Sequence, residues 1–396
     1  MPDPRERLTP PRLQPRLDLS GQEFLMFVLD QMAYEYEQKY DDVIRLTLGK
    51  SQLPPAASVV AAMTDAIGSQ DKNNLVFPAG LPELRERIAQ DYADRYGAEI
   101  DPAQVLVNVG TSSHFRNIFQ VLAGRGDEIL LPRPYYPLYV ICAQLAGATV
   151  RYYDIDLETF AIDVEALAAY ITDATKIVVL NSPGNPLGNV LSLEEFAAID
   201  EAVDGRALIL NDEIYANAYF DDEPFSAAQL RGARSPMAIT NGFSKGHSMY
   251  ARRVGWAVVP EELVEPLTVI QHHTLLCTDP VVQFGGIAAL DDLEVVLGLV
   301  ASCKHRRDYT LEQFAAVDDV DALPSRGGFY LTLECSKALR NRGLDSSLAL
   351  ARQIMEAAHV ATVPGSDFGL PETLRLSFTS ERYDEGIDRL VDFFRS

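Results

Sequence analysis

The chain has 396 residues, of which 47% are hydrophobic and 23% charged, and 34 basic against 57 acidic side chains give a formal net charge of −23. This length exceeds one comfortable hydrophobic core and predicts two domains, or one large domain with an appendage. The acidic balance disfavours nonspecific binding to nucleic acid or to an anionic membrane, because both need a basic surface.

The sequence also carries no obvious targeting or cross-linking signal. Residues 1–15 are polar and rich in proline, without the apolar core of a signal peptide, and the apolar runs are strand-sized, too short to span a membrane. Cysteines at 142, 277, 303 and 335 show no CxxC spacing, which favours reduced thiols over disulfides or zinc. We therefore expect a cytoplasmic protein without a metal site.

The N-terminal third mixes helix and strand signals. Helical spacing predicts a helix over residues 23–40, and Leu46-Thr47-Leu48-Gly49 is typical of a short strand that runs into a turn. Pro82 suits the first turn of a helix over residues 82–96, and Gly97 suits its end.

From residue 105 onwards, strand and helix patterns alternate. Strands are predicted at 105–109, 128–131, 177–180, 207–210, 237–240 and 254–259, with helices at 114–122, 138–145 and 193–203. Strands without polar alternation, joined by helices, favour a largely parallel sheet covered on both faces.

The C-terminal part has a different pattern. Strands at 329–333 and 374–378 with helices at 348–358 and 383–394 predict a smaller α+β domain, which the N-terminal segment joins. The predicted fold is therefore α/β, with a large domain built on a mostly parallel sheet flanked by helices and a smaller α+β domain. The predicted boundaries are 1–48 for the N-terminal arm, 49–290 for the large domain and 291–396 for the small domain.

Four motifs carry chemistry and occur in a fixed order: Asn185-Pro186-Leu187-Gly188, Asp212-Glu213-Ile214-Tyr215, Ser244-Lys245 and Arg253-Val254-Gly255. A lysine amine can form a Schiff base with an aldehyde, and an aspartate can keep a pyridine nitrogen protonated. An arginine can grip a phosphate with its planar fork of donors. Each motif alone has a plain alternative (a surface lysine, a solvated acidic loop, a turn), but four in order are strong evidence.

Together these motifs resemble the cofactor site of fold-type I, class I/II aminotransferases, the aspartate aminotransferase-like family, which use pyridoxal 5′-phosphate (PLP). The resemblance extends from about Leu46 to the C-terminus. It implies that Lys245 forms the Schiff base and then shuttles the substrate's α-proton. It further implies that Asp212 pairs with the ring nitrogen, and that Tyr215 and Asn185 form hydrogen bonds with the ring hydroxyl.

Gly110, Thr111 and Ser112 lie between a predicted strand and a predicted helix. Backbone N–H groups and hydroxyls at a helix N-terminus bind phosphate, although a simple Ser/Thr cap is the plain alternative. The resemblance makes Arg253 the phosphate-binding arginine and Ser244 a further phosphate contact.

The resemblance also implies a substrate site. Arg375 matches the arginine that clamps the substrate α-carboxylate, with a strand-edge salt bridge as the alternative. Gly49 matches a glycine whose backbone approaches the same carboxylate. Asn185 is predicted as the third substrate-binding residue. Tyr136 would stack on the pyridine ring, with core packing as the alternative.

One departure is Leu75, which stands where the family usually has a tyrosine that reaches the neighbouring subunit's phosphate. We predict a PLP-dependent aminotransferase of amino acid metabolism that moves an amino group between an L-amino acid and a 2-oxo acid. A lyase, decarboxylase or bond-forming enzyme of the same fold stays open, because the shared motifs do not separate these outcomes. A regulator fused to a DNA-binding module is disfavoured by the short lead and the negative charge. The resemblance implies a homodimer.

Overall fold

The computed structural model describes residues 24–40, 42–51, 53–222 and 224–396. The predictions for residues 1–23, including most of the N-terminal arm outside its helix, lie outside the described residues.

The helices are α1 (Leu25–Tyr40), α2 (Ala57–Gly68), α3 (Pro82–Tyr96), α4 (Thr111–Leu122), α5 (Pro137–Ala146), α6 (Val164–Tyr170), α7 (Leu193–Val203), α8 (Glu261–Leu275), α9 (Pro280–Asp291), α10 (Glu294–Phe314), α11 (Ser336–Arg342), α12 (Ser347–Ala358) and α13 (Tyr383–Arg395). The strands are β1 (Ile44–Arg45), β2 (Val105–Asn108), β3 (Glu128–Arg133), β4 (Thr149–Asp154), β5 (Thr175–Asn181), β6 (Leu208–Asp212), β7 (Met237–Gly242), β8 (Gly255–Val258), β9 (Asp321–Ala322), β10 (Tyr330–Glu334), β11 (Val360–Ala361), β12 (Val363–Pro364) and β13 (Thr373–Ser377).

Among the described residues, seven strands form the large sheet, in the order β2-β8-β7-β6-β5-β3-β4. Strands β3 to β7 run parallel, and β8 is antiparallel to both of its neighbours. One face packs on a core that includes Leu84, Phe196 and Trp256, and the other on a core that includes Phe115 and Ile118. Because both faces are covered, the central strands are apolar without alternation, as the sequence predicts.

A second, antiparallel sheet has the order β12-β13-β10-β9 and packs against α10, α12 and α13. The short strand β1 pairs in parallel with β11, so the N-terminal segment is joined to this C-terminal part. These findings confirm the predicted fold class, a large mostly parallel sheet with flanking helices plus a smaller α+β part. The exact domain boundaries at 48 and 290 stay a prediction.

The strand predicted at 46–49 is wrong, since the strand in this segment is β1, two residues earlier. After Arg45 the backbone divides its hydrogen bonds between two partners and forms no regular ladder. Leu46 N donates to Ala361 O, whereas Leu46 O accepts from Ser377 N. The predicted start of α4 is also three residues late, because Gly110 at φ 75° caps a helix that begins at Thr111.

None of the helices in the described ranges combines the length and the apolar character that a membrane crossing requires.

Candidate active site

A cavity of about 340 Å³ lies where the carboxyl ends of the parallel strands face the second sheet. This is the edge at which α/β sheets bind ligands. The predicted site residues that line the cavity are Gly49, Thr111, Ser112, Tyr136, Asn185, Asp212, Tyr215, Ser244, Lys245, Arg253 and Arg375. Gly110 does not line the cavity; it stands directly behind it, at the N-terminus of α4.

Lys245 follows β7, and its side chain lines the cavity. Its Nζ donates to the carbonyl oxygen of Gly49 at 2.7 Å. The same nitrogen lies 5.6 Å from the ring centroid of Tyr215 and 5.2 Å from that of Tyr250. Aromatic faces and a carbonyl oxygen thus hold the amine in place without a carboxylate within this set of contacts.

Asp212 is the last residue of β6 and is buried at the base of the cavity. Its Oδ2 accepts from the hydroxyl of Tyr139 at 2.7 Å, and its Oδ1 accepts from the backbone N–H of Ile214 at 3.2 Å. Burial raises the pKa of Asp212 to about 6, and these hydrogen bonds together with the charge of Lys245 limit the rise. The carboxyl is therefore ionised at neutral pH.

A cradle for an anion is formed by the N-terminus of α4 and the Arg253 side chain. Arg253 Nη1 donates to Ser244 Oγ at 3.3 Å and to the Tyr250 carbonyl at 3.0 Å. A Cβ on Gly110 would lie 2.6 Å from Arg253 Nη2, so this glycine gives the guanidinium its room. Free N–H groups of a helix and an arginine fork converge here, which is the donor set that a phosphate requires.

Asn185 is held by an asparagine that sequence reasoning missed. Asn181, at the end of β5, accepts from Asn185 N at 2.9 Å and donates to the Asp212 carbonyl at 2.9 Å. Asn181 therefore ties the loop after β5 to the end of β6. The neighbouring motif contained the signal, because a polar residue that ends a buried strand at this edge is a candidate for the same site.

Arg375 lies on β13 and is only 1% exposed. Its Nη1 donates to Asn185 Oδ1 at 3.2 Å and its Nη2 to the Thr47 carbonyl, while its guanidinium stacks 4.1 Å from the ring centroid of Tyr330. The described partners are amide, carbonyl, thioether and aromatic groups, so these contacts do not form the strand-edge salt bridge of the plain alternative. Its Nε is buried without a hydrogen-bond partner among the described residues. Its guanidinium thus forms no hydrogen bond with a carboxylate of the described residues, although its charge acts on Asp367 nearby.

Tyr330 is a second cavity residue that sequence reasoning missed. Its hydroxyl accepts from the hydroxyl of Tyr215 at 3.0 Å. Burial, the largest single cause, raises the pKa of Tyr330, but the positive charges of Lys245 and Arg375 and the hydrogen bonds with Tyr215 and Lys245 together lower it. The register of the second sheet pairs Tyr330 with Ser377 and places Arg375 on the same face, two residues along.

Leu75 lies away from this cavity, and 78% of its side chain is exposed. Tyr139 and Tyr250 complete the set of cavity tyrosines that were not predicted. The ring of Tyr139 meets that of Tyr136 edge to face, with centroids 5.7 Å apart, but Tyr136 precedes α5, so no helical spacing linked the two residues in the sequence.

Comparison with known proteins shows which family this chain resembles. The model of the family "Aminotransferase class I and II" matches residues 41–394. An aspartate aminotransferase of Thermotoga maritima is 33% identical over 375 residues, which cover 93% of this chain and 96% of the relative. An aspartate aminotransferase of Bacillus subtilis is 30% identical, covering 91% of this chain and 93% of the relative.

Solved structures agree. The chain is similar to the structure of an aspartate aminotransferase from Thermus thermophilus with maleate, with a TM-score of 0.85, 27% identity and coverage of 93% and 96%. It is also similar to an alanine aminotransferase from Pyrococcus furiosus, with a TM-score of 0.87, 26% identity and coverage of 95% and 98%. The predicted transferase activity, that of an aminotransferase, is confirmed, and the lyase alternative is not favoured. The chain belongs to the class I and II aminotransferase family.

Proposed function

We propose that this aminotransferase uses PLP, carried by Lys245, and moves an amino group between an L-amino acid and a 2-oxo acid. The observation that carries the proposal is the joint placement of three groups in one 340 Å³ cavity: the Lys245 amine, the buried Asp212 carboxylate and the Arg375 guanidinium. An amine for a carbonyl carbon, an acid for a ring nitrogen and a cation for a carboxylate are what this transfer needs.

The residues present fit the cofactor. The cradle of Gly110, Thr111, Ser112, Ser244 and Arg253 would hold its phosphate, because Gly110 leaves Arg253 the space that a Cβ would fill. Asp212, ionised above a pH of about 6, would hold a protonated ring nitrogen.

The ring's remaining contacts would come from the other side chains of the cavity. Tyr136 would stack on the ring, and Tyr215 and Asn185 would contact its hydroxyl. When bound, PLP supplies an aldehyde for Schiff-base formation and a ring that accepts electrons.

Lys245 would act twice. Its amine would hold the cofactor, and, once the substrate's amine takes its place, it would remove the proton from the substrate's Cα and deliver it to the carbon that carried the cofactor's aldehyde. The contacts of Nζ with Gly49 O and two aromatic rings hold the amine in the cavity, within reach of a bound substrate.

Arg375 would bind the α-carboxylate of the substrate through two parallel hydrogen bonds. Asn185, whose Oδ1 accepts from Arg375 Nη1, orients the fork, and the Tyr330 ring supports its other face. The donor's C–N bond is replaced by C=O and the acceptor's C=O by C–N, so one amino acid and one 2-oxo acid are consumed and formed in each cycle. No outside oxidant is needed.

The test is to load the full chain with PLP and record its absorbance. The loaded protein should be yellow, and borohydride reduction should fix the label on the peptide that contains Lys245. Adding an amino acid alone should convert the cofactor to its amine form, and a 2-oxo acid should reverse the change. The variant Lys245→Ala should lose both trapping and turnover, whereas Lys50→Ala, at the exposed neighbour of Gly49, should keep them. A label on another lysine would overturn the assignment.

The same proposal includes a cytoplasmic homodimer. All four cysteines are free, and three of them are buried. The segment after α2 exposes Leu75 and Phe77, the latter by 68%, and exposed large apolar side chains of this kind mark protein interfaces. Light scattering coupled to size exclusion should give twice the chain mass of 43.7 kDa, and Phe77→Asp should lower it.

A further inference from the structure

A second cavity of about 500 Å³ adjoins the first, and most of its wall is apolar. We call it the apolar chamber. Of the described residues, Phe24, Met26, Tyr136 and Tyr250 line both cavities and so form the boundary between them. Further chamber residues are Phe27, Tyr135, Leu138, Val140 and Ile141.

The chamber begins one side chain away from the proposed carboxylate anchor. Met26 Sδ lies 3.5 Å from Arg375 Nη2, and Met26 also lines the chamber. Next to it, the ring of Phe24 meets Tyr136 edge to face with centroids 6.3 Å apart, and meets Phe27 in the same way at 5.5 Å. Such a wall accepts another aromatic ring in the edge-to-face geometry that aromatic pairs prefer.

The charged groups that line the chamber also favour an uncharged substrate side chain. The described residues that line it include no lysine, arginine or histidine, and Asp367 is their single carboxylate. Both oxygens of Asp367 are engaged, because they accept from Leu25 N and Met26 N at 3.0 Å each and fix the start of α1. Among the described residues, a second substrate carboxylate in the chamber would therefore meet no counter-charge and would lie close to a negative one, which is costly.

We propose that the amino donor carries a large uncharged side chain, aromatic in preference to aliphatic, which occupies the apolar chamber while Arg375 holds its α-carboxylate. The inference rests on the proposed function, since it assigns the substrate class of that site. It separates this chain from the relatives whose names specify aspartate. A cavity of this size matches the range of small-molecule sites, and its apolar wall would exclude water from the donor's side chain.

The first experiment compares donors on the PLP-loaded full chain. Phenylalanine, leucine and aspartate are mixed with it in turn, without a 2-oxo acid, and the conversion of the cofactor is followed by absorbance. One methylene in an apolar pocket changes specificity by about 10- to 200-fold. The rate of cofactor conversion per donor concentration should therefore be roughly 100-fold higher with phenylalanine than with aspartate, and leucine should lie between them. Aspartate equal to or better than phenylalanine would overturn the inference and leave the proposed function intact. No reaction with any donor would overturn both.

The second experiment changes the chamber itself. Ile141→Lys adds a cation to the chamber and should lower the ratio of the phenylalanine efficiency to the aspartate efficiency by about 100-fold. The ammonium group would disfavour the phenylalanine ring and would pair with the second carboxylate of aspartate. The matched control Leu297→Lys, at a site on α10 that is 68% exposed and outside both cavities, should leave the ratio unchanged. If Ile141→Lys does not bind cofactor, Phe27→Ala at the exposed rim replaces it, and the phenylalanine efficiency should fall by about 3- to 10-fold while aspartate is unaffected. An unchanged ratio in the folded variant would overturn the inference.

Discussion

Tyr139 donates its hydroxyl hydrogen to the Asp212 carboxylate at 2.7 Å, and both side chains are buried. The bond joins α5 to the carboxyl end of β6, so a helix on one face of the sheet fixes the acid that we assign to the ring nitrogen. Because burial favours the neutral form of Asp212, each donor to this carboxylate helps to keep it ionised.

Removing this donor should weaken cofactor binding. A hydrogen bond to a charged group contributes about 1.5–3 kcal/mol, so Tyr139→Phe should raise the pKa of Asp212 further and increase the Kd of PLP at pH 7.5 by roughly 10- to 100-fold. An absorbance titration measures the Kd. Tyr153→Phe is the matched control, since Tyr153 is also buried, donates to the Val179 carbonyl at 2.7 Å and lies outside the cavity. Equal losses of affinity in the two variants would show that the effect comes from losing any buried hydroxyl and not from the bond to Asp212.

Asp212 should make the cofactor-free protein less stable at neutral pH. Its pKa is about 6 when folded against 3.8 as its ordinary value, so the unfolded chain loses this proton more readily and ionisation favours unfolding. The penalty is absent below pH 3.8, grows as the pH rises to about 6 and is then complete, at on the order of 3 kcal/mol.

Asp212→Asn should therefore unfold at a higher urea concentration than the unmodified chain at pH 7.5. The difference should shrink as the pH falls from 6 towards 4, because the wild-type carboxyl then becomes neutral as well. The same variant should lose cofactor binding and turnover. A stability gap that widens at low pH would contradict the assignment.

The phosphate cradle should depend on the missing side chain of Gly110. Gly110→Ala would place a Cβ 2.6 Å from Arg253 Nη2 at a residue with φ +75°. Displacing the guanidinium should raise the Kd of PLP about 10- to 100-fold, while pyridoxal, which has no phosphate, should lose much less.

Gly232→Ala is the control for backbone strain in that experiment. Gly232 also has a positive φ, +69°, and a Cβ added to it would meet nothing within 4 Å, so its variant strains the backbone by about 1 kcal/mol without touching Arg253. If both alanine variants bound PLP equally poorly, strain rather than the cradle would account for the loss.

The strands of the large sheet could be predicted from the sequence more accurately than the helices around it. The strands predicted at 177–180 and 237–240 lie within β5 and β7, because fully buried strands of a parallel sheet are uninterrupted apolar runs. Helix α9 was missed for the converse reason: it is buried along much of its circumference, including Gly285 and Gly286, so it has no polar face to give a helical period.

The site residues also divide into those that could be predicted from the sequence and those that could not. Lys245, Asp212 and Asn185 stand in loops or at strand ends with short recognisable motifs, and the structure brings them into one cavity. Tyr330 lies within a regular strand, and its place beside Arg375 depends on the register of β10 against β13, two strands about 40 residues apart in sequence. No local pattern contains that register.

The ring of Tyr330 and its hydroxyl should have separable roles in substrate binding. The ring lies 4.1 Å from the Arg375 guanidinium, and a desolvated cation–π contact contributes about 1–2 kcal/mol. Tyr330→Leu should therefore raise the KM for the amino acid about 5- to 30-fold, whereas Tyr330→Phe, which keeps the ring, should change it by no more than about twofold. Removing the hydroxyl leaves Tyr215 without its 3.0 Å acceptor, so the Phe variant should instead lower kcat. Steady-state kinetics with one donor and one 2-oxo acid measure both constants, and a Phe variant that raised KM as much as the Leu variant would show that the ring does not position Arg375.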